Sequence, residues 1–304
     1  MKIKRAAIVG AGAVGAYIIS LLQKHMGEDF MVLAEGSRAE RLKTNGIDVN
    51  GEIIYPNVKA YSEAGEVDLL MFATKYTVLP EAAKAAAPAV GKNTVILSLL
   101  NGIDSEQLLA DIFGEEHIVP AFMRIVSHRD GSTVRFDLSK TQGVVYGEKD
   151  GSESERVKAI AELFDGAGVG YVLSHDILAD QWNKYAINLA DNMPQAVVGT
   201  GYHAYFDSPY MHHIQEKVME EIRQVAAAEG ITITSIPTPR DSALPKARFS
   251  TLQDIDAKRP TETDMFLGHF LALAEKHNIP VPYCDYTYNA IKVLEEKNAG
   301  KFDY

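Results

Sequence analysis

The stretch Lys4-Arg5-Ala6-Ala7-Ile8-Val9-Gly10-Ala11-Gly12-Ala13-Val14-Gly15 decides the fold. Lys4 to Val9 reads as a short parallel strand, Gly10 to Gly15 as a glycine turn, and Ala13 to Lys24 as an apolar helix. This is the G-x-G-x-x-G pattern of a dinucleotide site in its required context of strand, turn and helix. Gly10 permits the tight turn, Gly12 lets the backbone approach a pyrophosphate, and Gly15 lets the helix pack closely on the sheet. Ala11, Ala13 and Val14 complete the same cofactor-binding turn. The helix N-terminus offers N–H groups and a positive dipole end to the anion.

Working outward, a second strand at Phe30 to Ala34 ends at Glu35, about twenty residues past the motif, where such folds carry an acidic residue. A carboxylate there accepts hydrogen bonds from an adenosine ribose diol and repels a 2′-phosphate. Arg38 is close enough to turn a guanidinium toward that phosphate, or it is an ordinary exposed arginine at a helix start. Asn45-Gly46 and Asn50-Gly51 mark a hairpin-like segment. Two further buried runs follow: Val67 to Thr74 ends at Lys75, and Thr94 to Leu100 ends at Asn101-Gly102. Ligands of an open parallel sheet sit outside the carboxyl ends of its strands, so Lys75 and Asn101 are candidate site residues. A stretch from Val134 to Tyr146 is expected to extend the sheet. The helix Glu153 to Ala167 and a strand near Gly170 to Leu173 would close the domain.

From Asp176 onward the pattern is helical: Asp180 to Pro194, Met211 to Glu229, Pro245 to Lys258, Thr261 to His277 and Tyr283 to Asn298. Turns at Gly199-Thr200-Gly201, Gly230 and Ile236 to Pro239 separate these segments. The expected architecture is therefore α/β: a Rossmann-like dinucleotide-binding domain over 1–174, with the boundary near Ser174, and an all-helical domain over 175–304.

Composition narrows the partners. The 304 residues carry a formal net charge of -11, which argues against nucleic acid or an anionic membrane, since both need a basic surface. A small anion held by a few local cations remains compatible. The single cysteine, Cys284, excludes an internal disulfide and a Cys-based zinc site, and no metal is called for. Lys2, Lys4 and Arg5 before the uncharged run Ala6 to Gln23 mimic a secretory signal. Gly10, Gly12 and Gly15 inside that run fit a strand, turn and helix better, so the chain reads as soluble, untargeted and cytoplasmic.

One helix stands out in the second half. Lys184, Asn188 and Asn192 recur at i, i+4, each step advancing about 40° around the axis and about 6 Å along it. The rest of the circumference carries Trp182, Tyr185, Ala186, Ile187, Leu189 and Ala190. A helix apolar nearly all round is buried, and buried polar groups must find partners. A buried lysine between two carboxamides is thus expected to face a polar ligand. Ser250 opens Ser250-Thr251-Leu252-Gln253, a capping-box pattern. Thr261 and Asp264 can cap the next helix, leaving Glu262 at the head of the stripe Phe266, Phe270 and Leu273. A carboxylate there is either paired, with Arg259 or Lys258, or functional.

With these residues in hand the chain resembles the ketopantoate reductase (2-dehydropantoate 2-reductase) family over essentially its whole length. The resemblance rests on Gly10 to Gly15, Lys75, Leu100-Asn101-Gly102, the Lys184–Asn188–Asn192 helix, and Ser250 to Asp254 leading to Thr261-Glu262. It implies reduction of 2-dehydropantoate to (R)-pantoate by hydride transfer from a nicotinamide, a step toward pantothenate. It further implies that Lys184 is the proton donor, that Asn188, Asn192 and Ser250 contact the substrate, and that Asn101 touches both ligands. Lys75 and Glu262 would line the cofactor and active site, Glu262 either holding Lys184 protonated or fixing a substrate hydroxyl. The chain departs from the family pattern twice. Glu35 stands where the family usually has a base suited to NADPH, which opens the site to NADH. Gly199 to Tyr202 stands where another asparagine is usual, which leaves other branched 2-keto acids as alternative substrates. A dinucleotide-binding redox sensor without turnover is the reading from a different class. The exposed apolar surface of the C-terminal helices suits a homodimer.

Overall fold

A computed structural model describes residues 1–130, 133–137, 141–235 and 238–304. The chain divides into two compact units, Met1–Leu178 and Ala179–Tyr304. The division falls inside the helix Ile177–Ile187 rather than at Ser174, because Ile177 and Leu178 pack with Phe122 and Val145 of the first unit.

Six parallel strands form the main sheet of the first unit. Their spatial order is Val58–Lys59, Phe30–Leu33, Ala6–Val9, Val67–Phe72, Val90–Ser98 and Ile118–Val119. Sheets of this kind are covered on both faces, so their strands read as continuous apolar runs. Ala6–Val9 and Phe30–Leu33 are buried at every position. Alternate residues serve opposite cores: Ala6, Ile8, Phe30, Val32, Leu69 and Met71 join one cluster with Ile18 and Ile160. Ala7, Val9, Met31, Leu33, Leu70 and Phe72 join another with Leu79, Ala83 and Leu109. The helices Ala13–Met26 and Glu155–Ala167 therefore cover one face, and Leu79–Ala85 and Ser105–Phe113 the other.

The predicted hairpin forms, Ile47–Val49 pairing antiparallel with Glu52–Ile54. Asn50 and Gly51 close it with φ of 53° and 91°, the double left-handed pair of a type I′ turn. The expectation for Val134 to Tyr146 was wrong, since that segment does not extend the main sheet. Thr133–Phe136 pairs with Ile47–Val49 in a four-stranded sheet. Gly143–Tyr146 lies between Ala121–Arg124 and Tyr171–Leu173 in a three-stranded one. Gly143 starts its strand at φ 92°, and a Cβ there would meet the carbonyl oxygen of Gly170 at 1.6 Å. Only glycine permits that break.

The second unit has helices and no strand among its described residues. Pro209–Ala228 and Pro282–Asn298 are its longest helices. The expected helix Pro245 to Lys258 shortens to Ser250–Asp256. Of the turn Ile236 to Pro239, Ile236 and Pro237 lie outside the described residues. No helix among the described residues is long and apolar enough to cross a membrane.

Candidate functional site

Register places the dinucleotide-binding candidates. Val9 pairs with Leu33 and with Phe72, and Phe72 pairs with Ser98. Four neighbouring strands thus end on one row. Gly10, Glu35, Lys75 and Asn101 all follow that row within a few residues, at the carboxyl edge where such sheets hold ligands.

The glycine turn is shaped by close approach. Gly10 has φ 110°, and a Cβ on it would meet the Ala73 carbonyl oxygen at 2.4 Å and the Thr74 nitrogen at 2.9 Å. A Cβ on Gly15 would meet the Gly10 carbonyl oxygen at 2.0 Å. Gly12 caps the helix Ala13–Met26 with no side chain to bond its first-turn N–H groups, and no acidic residue occupies that turn. The hydroxyl of Thr74, which sequence reading passed over, is buried without a hydrogen-bond partner among the described residues. A bare helix N-terminus and an unpaired donor at one strand edge fit the phosphates of a dinucleotide.

Glu35 is the exposed N-cap residue of the helix Gly36–Asn45, and its side chain makes no cap hydrogen bond. Arg38 is exposed one turn later. Tyr61 joins them: burial raises its phenol pKa, the Arg38 charge opposes that rise, and the Glu35 charge adds to it. No sequence pattern marks Tyr61, because it reaches this corner from a separate loop. Lys75 is exposed and starts the short helix Tyr76–Val78. Asn101 is exposed in the turn after Val90–Ser98. Below that turn Ser98, Ser105 and Glu106 form a buried chain, with 2.7 Å between the serine hydroxyls and 2.9 Å from Ser105 to the carboxylate.

In the second unit the lysine–asparagine helix forms with one change. Ile177–Ile187 is α-helical, Asn188–Asn192 is a π-turn, and Met193–Val198 resumes the α-helix. Pro194 has no N–H to give the preceding turn, which favours widening there. The polar row survives, since Asn192 Nδ2 donates to Asn188 Oδ1 at 3.5 Å. Lys184 and Asn188 are partly buried, not fully buried as expected, whereas Asn192 is 7% exposed. The Oδ1 atom of Asn192 has no hydrogen-bond partner among the described residues. A buried acceptor left open needs a donor from elsewhere.

Ser250 is not the N-cap that the capping-box pattern suggested. Phe249 takes that position, its N–H already bonded to Gln195 Oε1 at 2.8 Å, so Ser250 becomes the exposed first helical residue. Thr261 accepts from the Thr263 N–H at 3.2 Å, while Asp264 turns to Tyr288 and Lys292. Glu262 is partly buried just before a second π-turn, Asp264–Gly268, and its carbonyl accepts from the Phe266 N–H at 3.0 Å. The Tyr185 hydroxyl, beside Lys184 in sequence, donates to the Phe266 carbonyl at 2.6 Å, and the two rings stack. The α-helix that carries Lys184 is thereby bonded to the π-turn that follows Glu262.

Asp191, inside the first π-turn, is 2% exposed. Burial raises its pKa, against hydrogen bonds from Thr238 and Gln215 that lower it. It fastens the segment around Thr238 to the helix. The sequence analysis did not single it out, because its partners Gln215 and Thr238 are distant in sequence.

Residues 6–151 match the family model described as ketopantoate reductase PanE/ApbA, and residues 176–295 match its C-terminal counterpart. An uncharacterized oxidoreductase of Bacillus subtilis is 26% identical, over 95% of this chain and 98% of its own. A 2-dehydropantoate 2-reductase of Nostoc is likewise 26% identical, over 98% and 97%. The crystal structure of a PanE/ApbA family ketopantoate reductase from Ralstonia eutropha superposes with a TM-score of 0.82 at 25% identity, covering 97% of this chain and 99% of that one. The two matched ranges cover most of both units and include the glycine turn and the lysine–asparagine helix, and the chain belongs to the ketopantoate reductase family.

Proposed function

We propose that this oxidoreductase reduces 2-dehydropantoate to (R)-pantoate with a nicotinamide dinucleotide. The observation that carries the reading is the row Lys184–Asn188–Asn192, with its buried, unpaired carboxamide oxygen. The glycine turn would hold the pyrophosphate of a nicotinamide dinucleotide, which in its reduced form would supply the hydride for the keto carbon. Negative charge then builds on the carbonyl oxygen. Lys184 donates the proton that turns this oxygen into a hydroxyl, as general acid, and its charge stabilises the oxyanion as it forms. Asn188, Asn192 and the exposed Ser250 hydroxyl bind the carboxylate and alcohol groups without adding charge. Asn101 contacts both ligands, Lys75 lines the cofactor side, and Glu262 holds Lys184 protonated or fixes a substrate hydroxyl.

Glu35 favours NADH, since a carboxylate at that strand end repels a 2′-phosphate, while Arg38 favours NADPH. A second substrate reading has its own observation. Gly201 packs so closely that a Cβ would meet the Pro245 carbonyl oxygen at 2.5 Å. The stretch that usually brings another asparagine serves here as backbone packing, which suits a different branched 2-keto acid.

One turnover matrix tests all of this: a panel of 2-keto acids against NADH and NADPH, with wild type and Glu35→Arg. The expected result is highest kcat/KM for 2-dehydropantoate, with Glu35→Arg shifting preference toward NADPH. A clear preference for another acid removes the pantoate assignment. An unshifted cofactor ratio removes Glu35 from the ribose site. Tight dinucleotide binding with no turnover of any acid would instead favour a redox sensor.

A further inference from the structure

We propose that Gln195 is a positioning residue that sets the Ser250 hydroxyl in register with the Lys184–Asn188–Asn192 helix. The inference rests on the reading above, in which Ser250 binds substrate. Gln195 is fully buried on Met193–Val198, the segment that continues the lysine–asparagine helix beyond its π-turn. Both ends of its carboxamide are used on one strand of backbone. Nε2 donates to the Ala247 carbonyl at 3.0 Å, and Oε1 accepts from the Phe249 N–H at 2.8 Å. Phe249 is the N-cap and Ser250 the first residue of Ser250–Asp256. Two bonds from one side chain therefore fix Ala247 and Phe249, three positions and one position before Ser250.

The segment has other ties as well: the Pro245 carbonyl accepts from the His203 N–H at 3.2 Å, the Arg248 carbonyl accepts from Gln253 Nε2 at 2.6 Å, and Arg248 pairs with Asp256. Leu244, Pro245, Lys246 and Arg248 are exposed. The Ala247 carbonyl also accepts from the Tyr202 N–H at 3.0 Å, and Gln195 adds two bonds that run from this stretch to the segment continuing the lysine–asparagine helix. A buried glutamine is costly unless every polar atom is bonded. Here the bonds go to backbone, which keeps the placement of Ser250 independent of the side chains at positions 247 to 249.

The test is a double-mutant cycle of Gln195→Met and Ser250→Ala, with 2-dehydropantoate as the probe acid and dinucleotide binding measured separately. Methionine keeps the volume and loses both bonds. Gln195→Met is expected to raise KM about tenfold, the size of one lost hydrogen bond to substrate, with kcat and dinucleotide Kd changed less than about twofold. In the Ser250→Ala background the same change should add less than about twofold, because the residue acts through Ser250. A full additive effect, or a dinucleotide Kd that moves with KM, overturns the inference. A Ser250→Ala enzyme with unchanged KM instead removes Ser250 from the site, and so fails the underlying reading. If Gln195→Met does not fold, Gln195→Glu keeps the acceptor for Phe249 and loses the donor to Ala247. The same cycle then applies, and a smaller KM rise that vanishes in the Ser250→Ala background is expected.

Discussion

Lys184 has to be both a cation and reachable by substrate, and its partial burial suits that pair of demands better than the full burial expected from sequence. A lysine held entirely in apolar surroundings loses its proton, and a neutral amine cannot act as general acid at the oxyanion. Lys184→Ala should therefore lower kcat by about two to four orders of magnitude, the usual worth of a positioned acid, while dinucleotide Kd stays within about twofold, because nothing in the glycine turn changes. Turnover and fluorescence titration of the cofactor measure the two quantities. Near-normal turnover would rule out Lys184 as the proton donor. At this scale positions were legible and roles were not: the row Lys184, Asn188 and Asn192 follows from spacing and Gly10 and Gly15 from the steric needs of the turn, while the roles proposed for the row come from the resemblance. Ser250 is named by the resemblance, and its capping-box reading gives way. Its capping role goes to Phe249 through Gln195, a partner more than fifty residues away in sequence that no local pattern contains. Thr74 and Tyr61 were missed for the same cause, since each becomes interesting only through a neighbour from another strand or loop.

Among the elements, one π-turn follows the candidate acid Lys184 and another follows Glu262. Single-turn π-segments inside α-helices occur often at functional sites, and here one carries Asn188 to Asn192 while the other follows Glu262. Sequence periodicity cannot show them, because one widened turn alters the period too little to register over a helix of this length. Tyr185, on the α-helix before the first, is bonded to the second through one hydroxyl. Tyr185→Phe keeps the ring stacking and removes only that bond to the Phe266 carbonyl. It should lower stability by about 1 kcal/mol and reduce kcat severalfold, because Lys184 and Glu262 lose a shared reference. Denaturant unfolding and steady-state kinetics at saturating cofactor read the two effects. A stability loss with unchanged kcat would make Tyr185 a packing residue alone. The four inner strands of the main sheet, by contrast, were legible because doubly covered strands read as apolar runs, whereas the edge strands Val58–Lys59 and Ile118–Val119 were not expected. Val134 to Tyr146 was not, since strands so short can pair with any free edge and local sequence does not say which.

For the molecule as a whole, pH acts through its ion pairs, and Glu148 is the clearest case. It is 8% exposed and bonded by Arg156 through Nε at 2.7 Å and Nη2 at 2.6 Å. Ser154, the N-cap of Glu155–Ala167, bonds the same carboxylate. The Arg156 hydrogen bond lowers the Glu148 pKa, against burial, which raises it. A carboxyl group whose folded pKa is depressed contributes stability that is present above its unfolded pKa. That stability is lost as pH falls through the folded value. Arg156→Met removes the partner and leaves burial to dominate, so the variant carboxylate resists ionisation. At pH 7 the loss should be about 2 kcal/mol. This is below the figure for a fully buried pair, because the Arg156 side chain keeps 26% of its surface in water. As pH is lowered toward about 4, where unfolded glutamate itself takes up a proton, the difference between wild type and variant should shrink. Chemical denaturation followed at both pH values measures it, and a difference that stays constant would place the stabilisation in the packing of the Arg156 stem instead of in its charge.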